Sequence, residues 1–445
     1  MNLKHIKRQD KTIYKWIDLE AKRQKEGLEM IPSENYTSPA VMEATGSILT
    51  NKYSEGYPKK RYYGGNQFVD EIEIEAQQRA KELFGVEHVN VQPYSGSPAN
   101  LAVYLATLNP GDTVMGLNLT DGGHLTHGWK VSATGIFYHS VPYHVKETGR
   151  VDLDEVWKLA KENKPKLIWM GGTAYPFELE FEDFAQIADD SEAYLACDIA
   201  HIAGLIVAGV HKSPVPFCHV VTTTTHKTLR GPRGGMIMVT KRGLRMDPEL
   251  ATKIDRAVFP GLGGGPHNHQ TAAVAVALKE AASLKFKKYG QQIAKNAKAL
   301  ARELIKEGLE LVGRGTENHL LLMDLTKSNG SGSGILVQDG LGLAGITVNK
   351  NTIPSEPSSP YFPSGIRLGT PALTTRGMKE SDMRKVAKWI YRVINAVGKV
   401  ELPEIKEQKA QYLTQKREEL AASKEISQVK LEVKRFATKF PVPGL

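Results

Sequence analysis

The sequence predicts an α/β protein with a large, mainly parallel sheet covered by helices on both faces and a smaller α/β domain at its C-terminal end. Three observations predict it. Helical and strand patterns alternate from about residue 68 onward, and such alternation builds parallel sheets whose crossover helices cover both faces. At 445 residues the chain exceeds the size at which a single core keeps growing, so it should divide. The chemically loaded residues, Ser95 to Ser97, Thr173, Asp198 and Lys227, each follow a predicted strand, which is where ligands bind in sheets of this kind.

Taken in order, residues 11 to 27 read as an amphipathic helix with Ile13, Trp16, Ile17 and Ala21 on one side. A second helical pattern runs from Phe68 to Phe84 and stops at Gly85, after which Val86 to Val91 alternates as a strand. There follow a helix near 98–108, strands near 113–117 and 136–141, a helix near 153–163, a strand near 166–172 and a helix near 181–190. Tyr194 to Asp198 is a short apolar strand ending in a carboxylate, and the β-branched run from Val220 to Thr225 favours another. The glycine cluster Gly261 to Gly265 closes this region. Beyond it come a long helical stretch from about 270 to 308, a strand from His319 to Leu325, a flexible Ser/Gly loop at 328–334 and a glycine-bounded strand, Gly365 to Gly369. The charge-dense, helix-forming tail from Glu401 to Lys424 is expected on the surface. The domain reading is an N-terminal arm with helices (1–50), a large domain (51–275) and a small C-terminal domain with a charged helical extension (276–445).

Composition narrows the function. With 41% hydrophobic and 24% charged residues the chain is an ordinary globular protein. No apolar run approaches a membrane span, and the first thirty residues carry mixed charge rather than a signal-peptide core, so a cytoplasmic location is expected. The two cysteines, Cys197 and Cys218, lie in apolar contexts and read as small core residues. A net charge of +9 invites a nucleic-acid reading. Much of the basic excess, however, lies in segments 279–306 and 405–435, where Lys and Arg interleave with Glu as on solvated helix faces. No obligate nucleic-acid partner is expected, and a modest basic field suits small anionic substrates.

Lys227 carries the strongest chemical signal. It follows the β-branched run that includes Thr224, with His226 between, and stands just before Gly231 to Gly235, so its amine is set on a loop beside a strand end. Together with Asp198 it forms the pair that pyridoxal phosphate needs, an amine for the aldehyde and an anion for the pyridinium nitrogen. Tyr94 to Asn100 follows a strand and opens a helix, so Ser95, Gly96 and Ser97 converge where a phosphate is favoured. His124 and His127 follow Gly122-Gly123; no third ligand at a recognisable spacing supports a metal, and an imidazole over a flat cofactor uses the same loop as well. His127 is read as a hydrogen-bonded structural residue. Arg367, framed by Gly365 and Gly369, can take a carboxylate in a two-pronged contact. Glu55, flanked by Tyr53 and Tyr57 with Tyr63 further on, is a carboxylate suited to proton transfer.

With Ser33 to Tyr36, Asn51 to Pro58, Arg61 to Gly65, Gln92 to Asn100, Gly122 to Gly128, Asp198 to Gly204, Thr222 to Thr228 and Asn349 to Asn351 in order, the chain resembles serine hydroxymethyltransferase over roughly residues 10 to 400. The resemblance implies a fold-type I, aspartate aminotransferase-like three-layer αβα large domain. It implies pyridoxal 5'-phosphate as cofactor and tetrahydrofolate as co-substrate, converting serine to glycine and 5,10-methylenetetrahydrofolate. By the same resemblance Lys227 holds the cofactor aldehyde, Asp198 pairs with the ring nitrogen, His124 stacks on the ring and His201 bonds near its phenolic oxygen. Ser95, Gly96 and Ser97 hold the phosphate with help from His226; Thr173, where a serine is usual, keeps a hydroxyl beside the cofactor, and Thr224 joins the catalytic set. Ser33 and Arg367 take the substrate carboxylate, and Leu119, Gly123, Leu125 and Asn351 line the folate pocket. Tyr53, Glu55, Tyr63 and Gly265 serve the neighbouring subunit's site, implying a homodimer or a dimer of dimers. Rival readings are an aldolase that cleaves β-hydroxy amino acids without a pterin, and an idle relative that binds RNA. The 405–423 segment resembles an insertion before the final helix.

Overall fold

The computed structural model describes residues 3–445, and the chain divides into two compact units, Thr37–Gln291 and a second made of the chain up to Tyr36 together with Gln292–Leu445. The N-terminal segment thus belongs with the C-terminal one, a union that spans the whole length of sequence between them.

The larger unit is built on seven strands: β1 (His88–Asn90), β2 (Thr113–Leu117), β3 (His139–Tyr143), β4 (Leu167–Met170), β5 (Tyr194–Asp198), β6 (Val220–Thr224) and β7 (Gly235–Val239). Their order across the sheet is β1-β7-β6-β5-β4-β2-β3. β3, β2, β4, β5 and β6 pair in parallel, and only β7 runs antiparallel, to both β6 and β1. Every residue of β4, β6 and β7 is buried. A sheet with one wet face would alternate, so helices cover both sides. Cys197 and Cys218 are buried free thiols, as the apolar contexts imply.

The alternation of elements follows the expectation closely, with instructive departures. The strand expected near 136–141 is present but begins later, as β3 from His139, because Ala133–Phe137 first closes into a short helix; a brief apolar run such as Gly-Ile-Phe-Tyr has no period long enough to separate the two states. β7 was not anticipated, because Gly231 to Gly235 reads as a turn. Gly235 in fact starts the strand, where a side chain would come within 2.5 Å of the Ser95 carbonyl oxygen. The helical stretch from 270 to 308 is two helices, Asn268–Ala281 and Leu284–Lys306. They break at Ser283, whose Oγ accepts a hydrogen bond from the Phe286 amide at 3.2 Å.

In the second unit, β8 (Glu310–Leu311), β9 (Leu320–Asp324), β10 (Asn349–Asn351) and β11 (Gly365–Gly369) form an antiparallel sheet in the order β8-β9-β11-β10. Leu28–Glu29 pairs in parallel with Ile346–Thr347, which stitches the N-terminal segment onto this unit. Arg376, 3% exposed, completes the stitch. Its guanidinium donates to the carbonyls of Gln24, Lys25 and Gly27 at the end of the helix Lys11–Glu26, and to those of Ala437 and Phe440 at and just beyond the end of the helix Lys424–Ala437. Helix ends leave their last carbonyls without partners, and one cation satisfies two such ends. The charge-dense tail is not wholly on the surface: Leu413 and Leu420 of the helix Lys406–Ala422 lie in the core of this unit. Seven residues apart, they share one face, which the surrounding charges hide from a compositional reading.

Candidate active site

The carboxyl ends of the parallel strands converge on Asp198. Its Oδ1 accepts the Ala200 amide at 2.9 Å and its Oδ2 accepts Asn100 Nδ2 at 2.9 Å. Asn100 is in turn fixed by Thr222 Oγ1, which donates to its carbonyl oxygen at 2.6 Å, and it also donates to Thr126 Oγ1 at 2.8 Å. His127 Nε2 stands 3.5 Å from Asp198 Oδ2. Burial works against the charge on Asp198, but His127, His124 and Lys227 outweigh it and hold the carboxyl well below the ordinary carboxylate range. An anion is therefore permanent here at neutral pH.

Lys227 lies half-buried on the loop after β6, and its charge acts on Asp198, His124 and His226 alike. The loop is held by its own backbone, with Arg230 N donating to Lys227 O at 3.0 Å and Gly231 N to Thr225 O at 2.7 Å. Thr228 Oγ1 ties it to the turn after Asp198, donating to the His201 carbonyl at 2.8 Å and accepting from the Gly204 amide at 3.0 Å. Burial, reinforced by Arg233 and Lys227, lowers His226 to about 3, so its ring is neutral.

Ser95 precedes the helix Gly96–Thr107 without a side-chain cap bond, which leaves its hydroxyl and the first amides available to a ligand. Gly96 lies against Thr224, whose methyl a Cβ there would meet at 2.8 Å. The Thr224 hydroxyl and His226 Nδ1 are buried and without hydrogen-bond partners among the described residues. Such orphaned groups are uncommon in native interiors and mark a place for a polar ligand.

The loop after β2 carries Leu119, Gly123, His124 and Leu125, the last exposed. Gly122 needs its φ of +100° and is crossed by the 171–174 segment, Thr173 N donating to Gly122 O at 2.7 Å. Thr173 Oγ1 donates to Gly123 O at 3.0 Å, so its hydroxyl also holds the histidine loop in place. His124 Nδ1 pairs with Thr126 Oγ1 at 2.7 Å, and burial, with His127 and Lys227 adding to it against the pull of Asp198, lowers its pKa to about 4. A neutral imidazole can lie over a cationic ring without repulsion. The third donor that the His124/His127 spacing lacks is supplied across the fold by Asp198, the three donor atoms lying within 4.8 Å of one another.

Tyr53, Glu55, Tyr63 and Gly265 gather at the same unit's surface. Tyr53 Oη donates to Glu55 Oε1 at 3.1 Å, its ring meets Tyr63 edge-on at 5.1 Å, and Gly265 lies against the Tyr53 ring, where a Cβ would come within 3.0 Å. Tyr94 Oη donates to Gly265 O at 3.0 Å, which links this aromatic group to the chain just before Ser95.

The second unit holds Ser33, Asn351 and Arg367. Arg367 sits in β11, opposite Asn349 of β10, and donates from Nε to Asn349 Oδ1 at 3.1 Å. It is 8% exposed, and burial brings its pKa down to about 10, still fully charged at neutral pH. Asn351 faces Gly365 in the same sheet, while Ser33 adjoins Pro32, which packs on Gly369.

Residue-type reasoning missed Asn100, Thr126 and Thr222 around Asp198, and the reading of His127 as a hydrogen-bonded structural residue is corrected, since neither of its ring nitrogens has a hydrogen-bond partner among the described residues. Asn100 offered a signal, being a polar residue inside the apolar stretch Pro98 to Val103. His127 offered only its spacing from His124.

An amine on the loop after β6, a carboxylate ending β5 and orphaned polar groups at the end of β6 fit pyridoxal phosphate, and on this sheet they define a pyridoxal phosphate-dependent enzyme of fold-type I. A family model described as serine hydroxymethyltransferase matches residues 6–390. Two similar proteins bear the same name: one from Acidothermus cellulolyticus, 54% identical over 98% of this chain and 96% of its own length, and one from Sorangium cellulosum, 55% identical over 89% and 92%. The chain belongs to the serine hydroxymethyltransferase family, whose members are pyridoxal phosphate-dependent transferases that interconvert serine and glycine with tetrahydrofolate as co-substrate.

Proposed function

We propose that this chain runs the family reaction with Lys227 as the covalent anchor of the cofactor aldehyde, Asp198 at the ring nitrogen, and Ser95, Gly96, Ser97 and His226 at the phosphate. The observation that carries this reading is the Asp198 carboxylate, held by Asn100 and the Ala200 amide within the field of Lys227. Bound there, pyridoxal phosphate supplies an electron sink for bonds broken at the substrate's α-carbon. Asp198 keeps a negative charge facing that sink, and His124, neutral and tethered to Thr126, presents its ring face. His201, Thr173 and Thr224 border the cofactor.

Arg367 and Ser33 are assigned to the substrate carboxylate, since a buried, charged guanidinium steadied by Asn349 is a ready partner for it. Leu119, Gly123, Leu125 and Asn351 are assigned to the folate. Glu55, hydrogen-bonded to Tyr53, is assigned the proton moved during the one-carbon step. Purified enzyme given serine should form glycine rapidly with tetrahydrofolate and only slowly without it. Equal rates in both mixtures would favour the aldolase.

The working unit is proposed to be a homodimer in a cytoplasmic setting. Tyr53, Tyr62, Tyr63 and Phe68 are 54%, 76%, 48% and 74% exposed, an aromatic surface of the kind partner subunits cover. Sedimentation equilibrium should return twice the 49.0 kDa chain mass or a multiple of it; a monomer at micromolar concentration refutes the dimer. Among the described residues no helix is long and apolar enough to cross a membrane.

A further inference from the structure

The structure assigns to His127 the task of fixing the Asp198 carboxylate, from the side opposite its backbone contact, in the orientation that holds the cofactor's ring nitrogen protonated. It acts through Asp198 and is a positioning residue; the inference rests on the Asp198 role proposed above. His127 is 3% exposed and stacks on Trp169 with ring centroids 5.1 Å apart and planes 9° apart. Its backbone is clamped as well. The His127 amide donates to the His124 carbonyl at 2.9 Å, and β2 passes so near that a side chain at Gly116 would come within 2.4 Å of the His127 oxygen.

Among the described residues neither ring nitrogen of His127 has a hydrogen-bond partner, although both are buried. Packing does not account for an imidazole in that position, because a phenyl ring would stack on Trp169 without leaving buried polar atoms unsatisfied. The polar group it faces is Asp198, with Nε2 3.5 Å from Oδ2. That oxygen is also the one held by Asn100, while Oδ1 is held by the Ala200 amide. His127 therefore lies one small adjustment from a third bond on the carboxylate, and a carboxylate fixed on three sides has its remaining lone pair directed to one place. His124, whose ring centroid is 5.6 Å away, turns its Nδ1 to Thr126 instead, so the two histidines hold separate posts.

The test uses holoenzyme reconstituted with pyridoxal phosphate labelled with ¹⁵N in the ring, whose nitrogen shift reads protonation directly. In His127→Phe and His127→Asn the shift should move toward that of unprotonated pyridine, and the cofactor dissociation constant should rise about tenfold, as when a hydrogen bond to a charged group is lost. His127→Gln, which carries a donor to the same reach as Nε2, should stay near the parent protein on both measures. If His127→Phe does not fold, His127→Asn decides. The parent shift retained in the Phe or Asn variant, or a Gln variant that behaves as they do, overturns the assignment. Asp198→Asn separates the two levels: it should move the shift whatever residue stands at 127, and failure there sinks the Asp198 role itself.

Discussion

Lys227→Ala protein, mixed with pyridoxal phosphate and reduced with borohydride, should carry no pyridoxyl group on the peptide that contains residue 227, where the parent enzyme carries one. Serine-to-glycine turnover should fall by about 10³-fold or more, the scale on which deletion of a covalent-catalysis group acts. The loop itself should survive, because the Arg230 and Gly231 amides and Thr228 hold it without the lysine side chain. Mass analysis of the reduced peptide reads the result directly. A pyridoxyl adduct on another lysine, or an unchanged visible absorption band in the variant, would remove Lys227 from its assigned role.

Arg367→Ala should leave cofactor binding intact and weaken serine by roughly 30-fold or more, since truncating one member of a buried, hydrogen-bonded charge pair costs about 2–5 kcal/mol. The side chain is buried in β11 and steadied by Asn349, so its orientation is set before substrate arrives. Lysine at this position should rescue poorly, because a point charge cannot reproduce a two-pronged guanidinium contact. Titration of holoenzyme with serine, followed through the cofactor spectrum, gives the affinity; a parent-like dissociation constant in the alanine variant would refute the carboxylate assignment.

Much of this architecture was legible because periodicity and punctuation agree. The β-branched run ending β6, the Gly85 helix stop and the apolar Tyr194 to Asp198 strand each carry their own local instruction. Lys227 and Asp198 were legible for the same reason, since both sit where a readable strand ends. What escaped depends on contacts between distant segments. β7 begins at a glycine that resembles a turn until the Ser95 carbonyl is seen pressed against it. Asn100 and His127 become neighbours of Asp198, and Thr222 a partner of Asn100, only once a helix start, a loop and two strands meet, and no local pattern announces it. Leu413 and Leu420 read as stray apolar residues in a charged tail, because the core they enter lies elsewhere in the chain.

The seam joining Leu28–Glu29 to Ile346–Thr347, locked by Arg376 across residues near both termini, dictates an order of events during biosynthesis. Residues 37–291 are translated as an uninterrupted block and can condense while the ribosome is still at work. The leading segment cannot: its β-partner emerges more than three hundred codons later, and the carbonyls of Ala437 and Phe440 later still. Until Ile346–Thr347 has been made, the nascent polypeptide therefore carries Leu28–Glu29 as an unpaired strand edge, a ready client for a chaperone.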